Sequence, residues 1–187
     1  MEIENVVIFI RETIEDLRTE EKIDSIIKDG IFDILKSKCT IIYYPMSDED
    51  NRGFHIRRLV NDEMRDFVYI NTAKSYEQQI FTAAHELGHI WNVYPKVVEK
   101  ASASGINLDE KDNDDEEKVV DRFAAELLMP EKEFRDSVNH YTKEFEMSED
   151  ISVVDLLKMI AKLMGEYMSP YNAVRKRLHG NSGVGPH

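Results

Sequence analysis

At 187 residues the chain can bury one substantial core, and a 42% hydrophobic, 33% charged composition with few Gly and Pro excludes wholesale disorder. A formal net charge of -13, from 37 acidic against 24 basic residues, argues against broad contact with nucleic acid, which needs concentrated Lys and Arg. The single cysteine excludes an internal disulfide, and no apolar run approaches the ~18 residues that would span a bilayer.

The apolar opening 6–10 follows Glu2 and Glu4 instead of basic residues and meets no cleavage-like site. It reads as part of the fold and not as a secretion signal, so a reducing, cytoplasmic setting is expected. Ile10, Ile14 and Leu17, then Ile23, Ile26 and Ile27, predict one or two amphipathic helices ending near Gly30 or continuing briefly through Leu35. Residues 40–44 read as a strand stopped by Pro45, with Cys39 beside it as a buried thiol. Two more strands are expected, around 54–60 and 66–71, joined through Asn61-Asp62. Joins this short favour a small, mostly antiparallel sheet over parallel crossovers. The segment 67–70 is a candidate edge on which an extended peptide could pair.

Ser75, with Gln78 three residues on, has the form of a capping box opening a long helix, and no proline follows before Pro95. Residues 95–111 carry the weakest pattern and read as an exposed insertion, and the acidic stretch 109–117 as a solvated loop running into a helix start. A helix over 115–129 follows from the spacing of Val120, Phe123, Ala124, Leu127 and Leu128, with Pro130 ending it and opening another that carries Phe134 and Val138. Ile151, Val154, Leu157, Ala161 and Met164 mark a third apolar stripe. Ser169-Pro170 reads as an N-cap and first-turn proline of a last helix to Leu178. The whole is expected to be α+β: one domain over 1–180 with an N-terminal helical segment and helical C-terminal part, and a flexible tail over 181–187.

His85-Glu86-Leu87-Gly88-His89 carries the chemistry. Residues four apart on a helix lie one above the other, so His85 and His89 can aim their imidazoles at one ion. Glu86, rotated by about 100° from His85, reaches beside the ion to a water instead of to the ion itself. Two histidines and a carboxylate suit Zn2+ with one position left open, an arrangement that makes water a nucleophile with Glu86 as its base. A third ligand is sought among the acidic residues opening the 115–129 helix. Glu117, 28 positions beyond His89 (117 minus 89), is the best placed, with Glu116 the nearest competitor. Asp121, one turn beyond Glu117, can accept a hydrogen bond from a liganding imidazole. Tyr94, His140, Tyr141 and His179 are available as further proton donors, and nothing in the sequence chooses among them.

The segments 81–89, 121–130 and 169–178, in that order, resemble the ImmA/IrrE family of metallopeptidases over roughly 67–180. The resemblance implies a zincin-like core, Glu117 as the glutamate ligand, and bacterial or phage-associated proteolysis of a helix-turn-helix transcriptional repressor. Where the family has Ala-Asn after its glutamate, this chain has Val120-Asp121, and the Glu117-to-Asp121 spacing is similar to that of thermolysin-like zincins. Ile90 to Tyr94 also depart from the family's more aliphatic, histidine-containing stretch.

The leading expectation is therefore a zinc-dependent, site-specific endopeptidase acting on a repressor partner, with no direct nucleic acid and no membrane. The alternatives are a zinc hydrolase of another peptide or amide, and a noncatalytic repressor-binding module. Arg175, Lys176 and Arg177 on the last helix admit a DNA-binding helix-turn-helix reading, opposed by the chain's charge.

Overall fold

The computed structural model describes residues 3–23, 26–48, 51–106, 113–147 and 151–181. Three strands, β1 (Thr40–Tyr44), β2 (Gly53–Val60) and β3 (Glu63–Asn71), form one sheet in the order β1-β3-β2. Eight α-helices accompany it among the described residues, giving the expected α+β class: α1 (Val7–Glu21), α2 (Ile31–Lys38), α3 (Tyr76–Ile90), α4 (Val93–Ala103), α5 (Asn113–Leu128), α6 (Glu131–Glu144), α7 (Val153–Tyr167) and α8 (Tyr171–Asn181).

The β2–β3 hairpin turns on Asn61 and Asp62, both at positive φ (51° and 64°), as a two-residue turn matching strand twist requires. It supplies the antiparallel majority of the sheet. One pair departs from that majority: β1 pairs with β3 in parallel, from Thr40 opposite Phe67 to Tyr44 opposite Asn71. No direct crossover is needed, because β2 carries the chain back before β3 begins. The expected edge at 67–70 is corrected: β3 is central and paired on both sides, so 67–70 offers no edge; the free edge on the β2 side belongs to β2 itself.

Asn71 fixes the loop between β1 and β2. Fully buried, it accepts from the Met46 and Ala73 amides (both 2.9 Å) and donates through Nδ2 to the Asn51 carbonyl at 2.6 Å. Its own amide donates to the Arg52 carbonyl at 3.0 Å, so the start of β2 is held from both backbone and side chain.

Ser75 caps α3 through a complete capping box with Gln78, as the spacing predicts. Ile80, Ala83, Ala84 and Leu87 turn one face of α3 into the core. Residues 93–103 correct the expected exposed insertion: Val93, Val97 and Ala101, four apart, form the buried stripe of α4. Pro95 falls in the first turn, where a missing N–H leaves no intrahelical bond unmade. The last part of that expected insertion, 107–111, lies outside the described residues, as does the tail from 182 on.

Of the one or two N-terminal helices expected, two form: α1 ends at Glu21 with Lys22 in the left-handed region, and α2 begins after Gly30 and runs through Leu35. Ser169 is buried and donates to the Tyr167 carbonyl, while Pro170 accepts from the Ala173 and Val174 amides to start α8. Cys39 is half-buried, its thiol donating to the Leu35 carbonyl at 3.3 Å and pushed up to about 11 by burial. Among the described residues no helix is long and apolar enough to cross a membrane.

Glu126, 2% exposed at its side chain, ties α1, α5 and α8 together. It accepts from Arg11 Nε and Nη2 (both 3.1 Å), from Arg122 Nε at 3.0 Å and from Arg177 Nη2 at 2.7 Å. Arg177 is thus an interior cation at 3% exposure, which removes one third of the basic cluster on which a DNA-binding α8 would depend.

Candidate metal centre

The histidine face of α3 meets the first turns of α5. Gly88 permits this approach, because a Cβ there would lie 2.8 Å from Val120 Cγ1. Across the gap, Glu117 Oε2 stands 3.2 Å from His85 Nε2 and Glu117 Oε1 stands 3.4 Å from His89 Nε2. The two Nε2 atoms are 3.1 Å apart. Ligands about 2.0–2.1 Å from a tetrahedral zinc sit about 3.3–3.4 Å from one another. These three separations therefore fit one shared ion, and one ligand atom from each of His85, His89 and Glu117 lies within 4.8 Å of the others.

The outer ring nitrogens have carboxylate partners. His85 Nδ1 lies 3.0 Å from Asp121 Oδ1, and His89 Nδ1 lies 3.2 Å from Glu116 Oε1. A proton held at each Nδ1 leaves each Nε2 lone pair facing the shared point. Glu116, the competitor for Glu117 in the sequence, touches the far side of His89, whereas Glu117 reaches both inner nitrogens. The sequence favours Glu117 over Glu116 by its place one turn before Asp121; adjacent residues on a helix differ by about 100° of rotation, and the crossing of α3 and α5 turns Glu117 inward.

Electrostatics favours a cation here. Glu86, Glu116, Glu117 and Asp121 surround two imidazoles, and both histidine side chains are only 18% exposed. Burial disfavours the charged form of His85, but its hydrogen bond with Asp121 and the negative charges of Glu86, Asp121 and Glu117 outweigh that and raise its pKa. Asp121 is desolvated, yet His85, Lys176 and Arg52 hold its carboxyl below the ordinary value. Glu86, 5% exposed, is shifted up by burial, partly opposed by His85 and His55.

Glu86 and His85 line a recess of about 280 Å³ with Thr82, Asp121 and the β2 approach at Arg52 and Gly53. Gly53 is needed there because a Cβ would come within 2.4 Å of the Tyr69 carbonyl oxygen. None of the four further donor candidates lines this recess: Tyr94 is buried, Tyr141 donates to Glu166 at 2.9 Å, His179 contacts the Arg175 carbonyl and His140 faces Glu144. Arg52 and Asn51 line it instead. His55 sits deeper on β2, its Nε2 2.7 Å from Asp66 Oδ1.

A helix bearing two histidines and a glutamate between them, joined by a carboxylate from a neighbouring helix and flanked by a small sheet, places this domain in the zincin-like metallopeptidase class. More particularly, the chain belongs to the M78 peptidase family: the family's IrrE N-terminal-like domain matches residues 35–179. No curated protein matches it. Among solved structures it is similar to a Mycobacterium tuberculosis transcriptional regulator, with a TM-score of 0.60 and 14% sequence identity over 95% of this chain. The chain spans about half of that protein's length, 52%, and at this identity the likeness concerns the fold.

Proposed function

We propose that the protein is a zinc-dependent endopeptidase that cuts a helix-turn-helix transcriptional repressor at a single site, with His85, His89 and Glu117 as metal ligands and Glu86 as general base. The observation carrying this reading is the convergence of both Nε2 atoms and the Glu117 carboxylate at zinc-like separations beside a buried Glu86. Bound there, zinc supplies the Lewis acidity that makes water a nucleophile near neutral pH and offsets charge on the scissile carbonyl oxygen.

The chain's own residues do the rest. Burial raises the Glu86 pKa, which suits a carboxylate that takes a proton from water and returns it to the leaving nitrogen. Asp121 and Glu116 hold the imidazoles in orientation through Nδ1. The free edge of β2, whose approach at 51–53 lines the recess, can pair with an extended substrate backbone in the role first expected of 67–70. Family membership supports a repressor as the substrate and hence a cytoplasmic site of action.

The test is to incubate zinc-replete wild type and Glu86→Gln with each purified helix-turn-helix repressor of the source organism and to read intact masses. One discrete cut, absent with Glu86→Gln, is the expected result. An uncut repressor under these conditions defeats the proposal, and cutting confined to unrelated peptides or amides points to a broader zinc hydrolase.

A further inference from the structure

Beside the recess that holds Glu86 lies a second cleft of about 250 Å³. The two share Arg52, Phe81 and Asp121 in their walls, so one extended ligand can occupy both. Arg175 and Lys176 of α8 join Arg52 around the second cleft, and the side-chain amides of Gln78 and Asn172 stand with them. The basic run of α8 is therefore divided. Arg177 turns inward to Glu126, while Arg175 and Lys176 are exposed on the cleft side.

Arg52, Arg175 and Lys176 make no ion-pair contact within 4.0 Å among the described residues, although Lys176 and Arg52 act on Asp121 through space. Asp121 is the cleft's single carboxylate, and it is already hydrogen-bonded to His85. Three cations against one committed carboxylate leave a net positive pocket on a chain of charge -13. Such a local reversal of sign attracts an anionic group and fixes its register, because the surrounding surface repels it. Guanidinium forks and amide donors match the two oxygens of a carboxylate.

We propose that this cleft is a specificity subsite that receives an Asp or Glu side chain of the peptide substrate, within a few residues of the bond presented to Glu86. The identity of the ligand as a peptide rests on the peptidase reading above. Phosphates of nucleic acid would meet the same cations, but the cleft is continuous with the peptidase recess and the chain's net charge opposes a long polyanion.

The test uses the full-length, zinc-loaded Glu86→Gln protein and fluorescein-labelled short peptides, otherwise neutral, in which Asp, Asn or Lys is placed at each position in turn. Binding is read by anisotropy. Asp at one position should bind about tenfold tighter than Asn, the gain of a charge-assisted hydrogen bond. The double substitution Arg175→Gln with Lys176→Gln should abolish that ratio, and the charge-keeping pair Arg175→Lys with Lys176→Arg should retain it. Equal affinity for Asp and Asn at every position, including no binding of either, overturns the inference, as does a ratio that survives the double Gln variant. Displacement of the peptide by duplex DNA, lost in the same variant, overturns the peptide assignment in favour of nucleic acid. The repressor assay above separates the two readings: an acidic preference in a protein that leaves the repressor uncut defeats the peptidase and keeps the subsite, and a discrete Glu86-dependent cut without any acidic preference does the reverse.

Discussion

Gly88 and Val120 meet across the α3–α5 crossing with no room for a methyl group: a Cβ on Gly88 would stand 2.8 Å from Val120 Cγ1 and 3.2 Å from Phe123 Cδ1. Glu117 lies three residues before Val120, on the same side of α5. The closeness of the two helices and the reach of Glu117 to both imidazoles are thus one feature of packing.

Gly88→Ala should therefore weaken zinc binding while leaving the helices formed. A few tenths of an ångström at Val120 displaces the Glu117 carboxylate, and disturbed support of a ligand lowers metal affinity by roughly 10 to 100-fold. Competition with a chromophoric chelator, beside a far-UV spectrum, checks this. Unchanged affinity would mean that Val120 rotates aside and the crossing does not move.

The ligand and base substitutions should separate cleanly. His85→Ala, His89→Ala and Glu117→Ala each remove a donor and should lower zinc stoichiometry or affinity. Glu86→Gln should keep about one zinc per chain, since Glu86 is not among the converging donors, and lose nearly all turnover. Full zinc retention in all three ligand variants would remove the metal assignment.

Asp121→Asn should act more weakly than loss of Glu117. It leaves the three converging donors in place but replaces the carboxylate at 3.0 Å from His85 Nδ1 with an amide that can present the wrong group. A drop of roughly 10 to 100-fold in zinc affinity or activity is expected. A change in thermal stability alone, with zinc affinity and activity intact, would reduce Asp121 to a structural partner.

How far the site could be read from the sequence depended on the range of the contacts. The Ser75 cap, the i, i+4 histidines and the Asn61-Asp62 turn are local, and their residue types dictate their geometry. Glu117 and Asp121 needed only one helix pair to be guessed. Asn71 was invisible, because an asparagine at a strand end looks like turn punctuation until Met46, Asn51 and Ala73 surround it. Arg52 and Lys176 are 124 positions apart (176 minus 52) and share a cleft only through the fold. Pro95 misled in the other direction: proline usually breaks a pattern, and here it sits in the first turn where nothing is broken.

Asn71→Ala should cost about 1–3 kcal/mol, because it removes the hydrogen bonds that this fully buried side chain makes to the backbone at Met46, Asn51 and Ala73. Chemical denaturation measures it. Because the same side chain holds the loop that delivers Arg52, peptide turnover should fall even at temperatures where the variant is fully folded. Stability lost with turnover intact would show that Arg52 finds its position independently.

Glu126 supplies the pH dependence. Burial alone would raise its pKa, but Arg11, Arg177 and Arg122 outweigh burial and hold it below the ordinary carboxylate value. A carboxylate whose folded pKa is depressed binds its proton more readily in the unfolded chain. Its stabilisation is therefore fully present above the unfolded pKa, about 4.3, and is lost as pH falls through the lower folded value. Glu126→Gln leaves three arginines around a neutral amide, and breaking a buried ion cluster by removing one partner costs about 3–5 kcal/mol. Urea unfolding of wild type and variant should show that difference at pH 7 and show it shrinking as acid titrates the wild-type carboxylate. The arginines keep their charge throughout, so Arg177→Met, which empties one position of the cluster, should weaken the pH dependence without removing it. A stability gap between wild type and Glu126→Gln that stays constant from pH 7 into the acid range would mean that Glu126 is not held anionic by its arginines, and that α1, α5 and α8 are joined by packing alone.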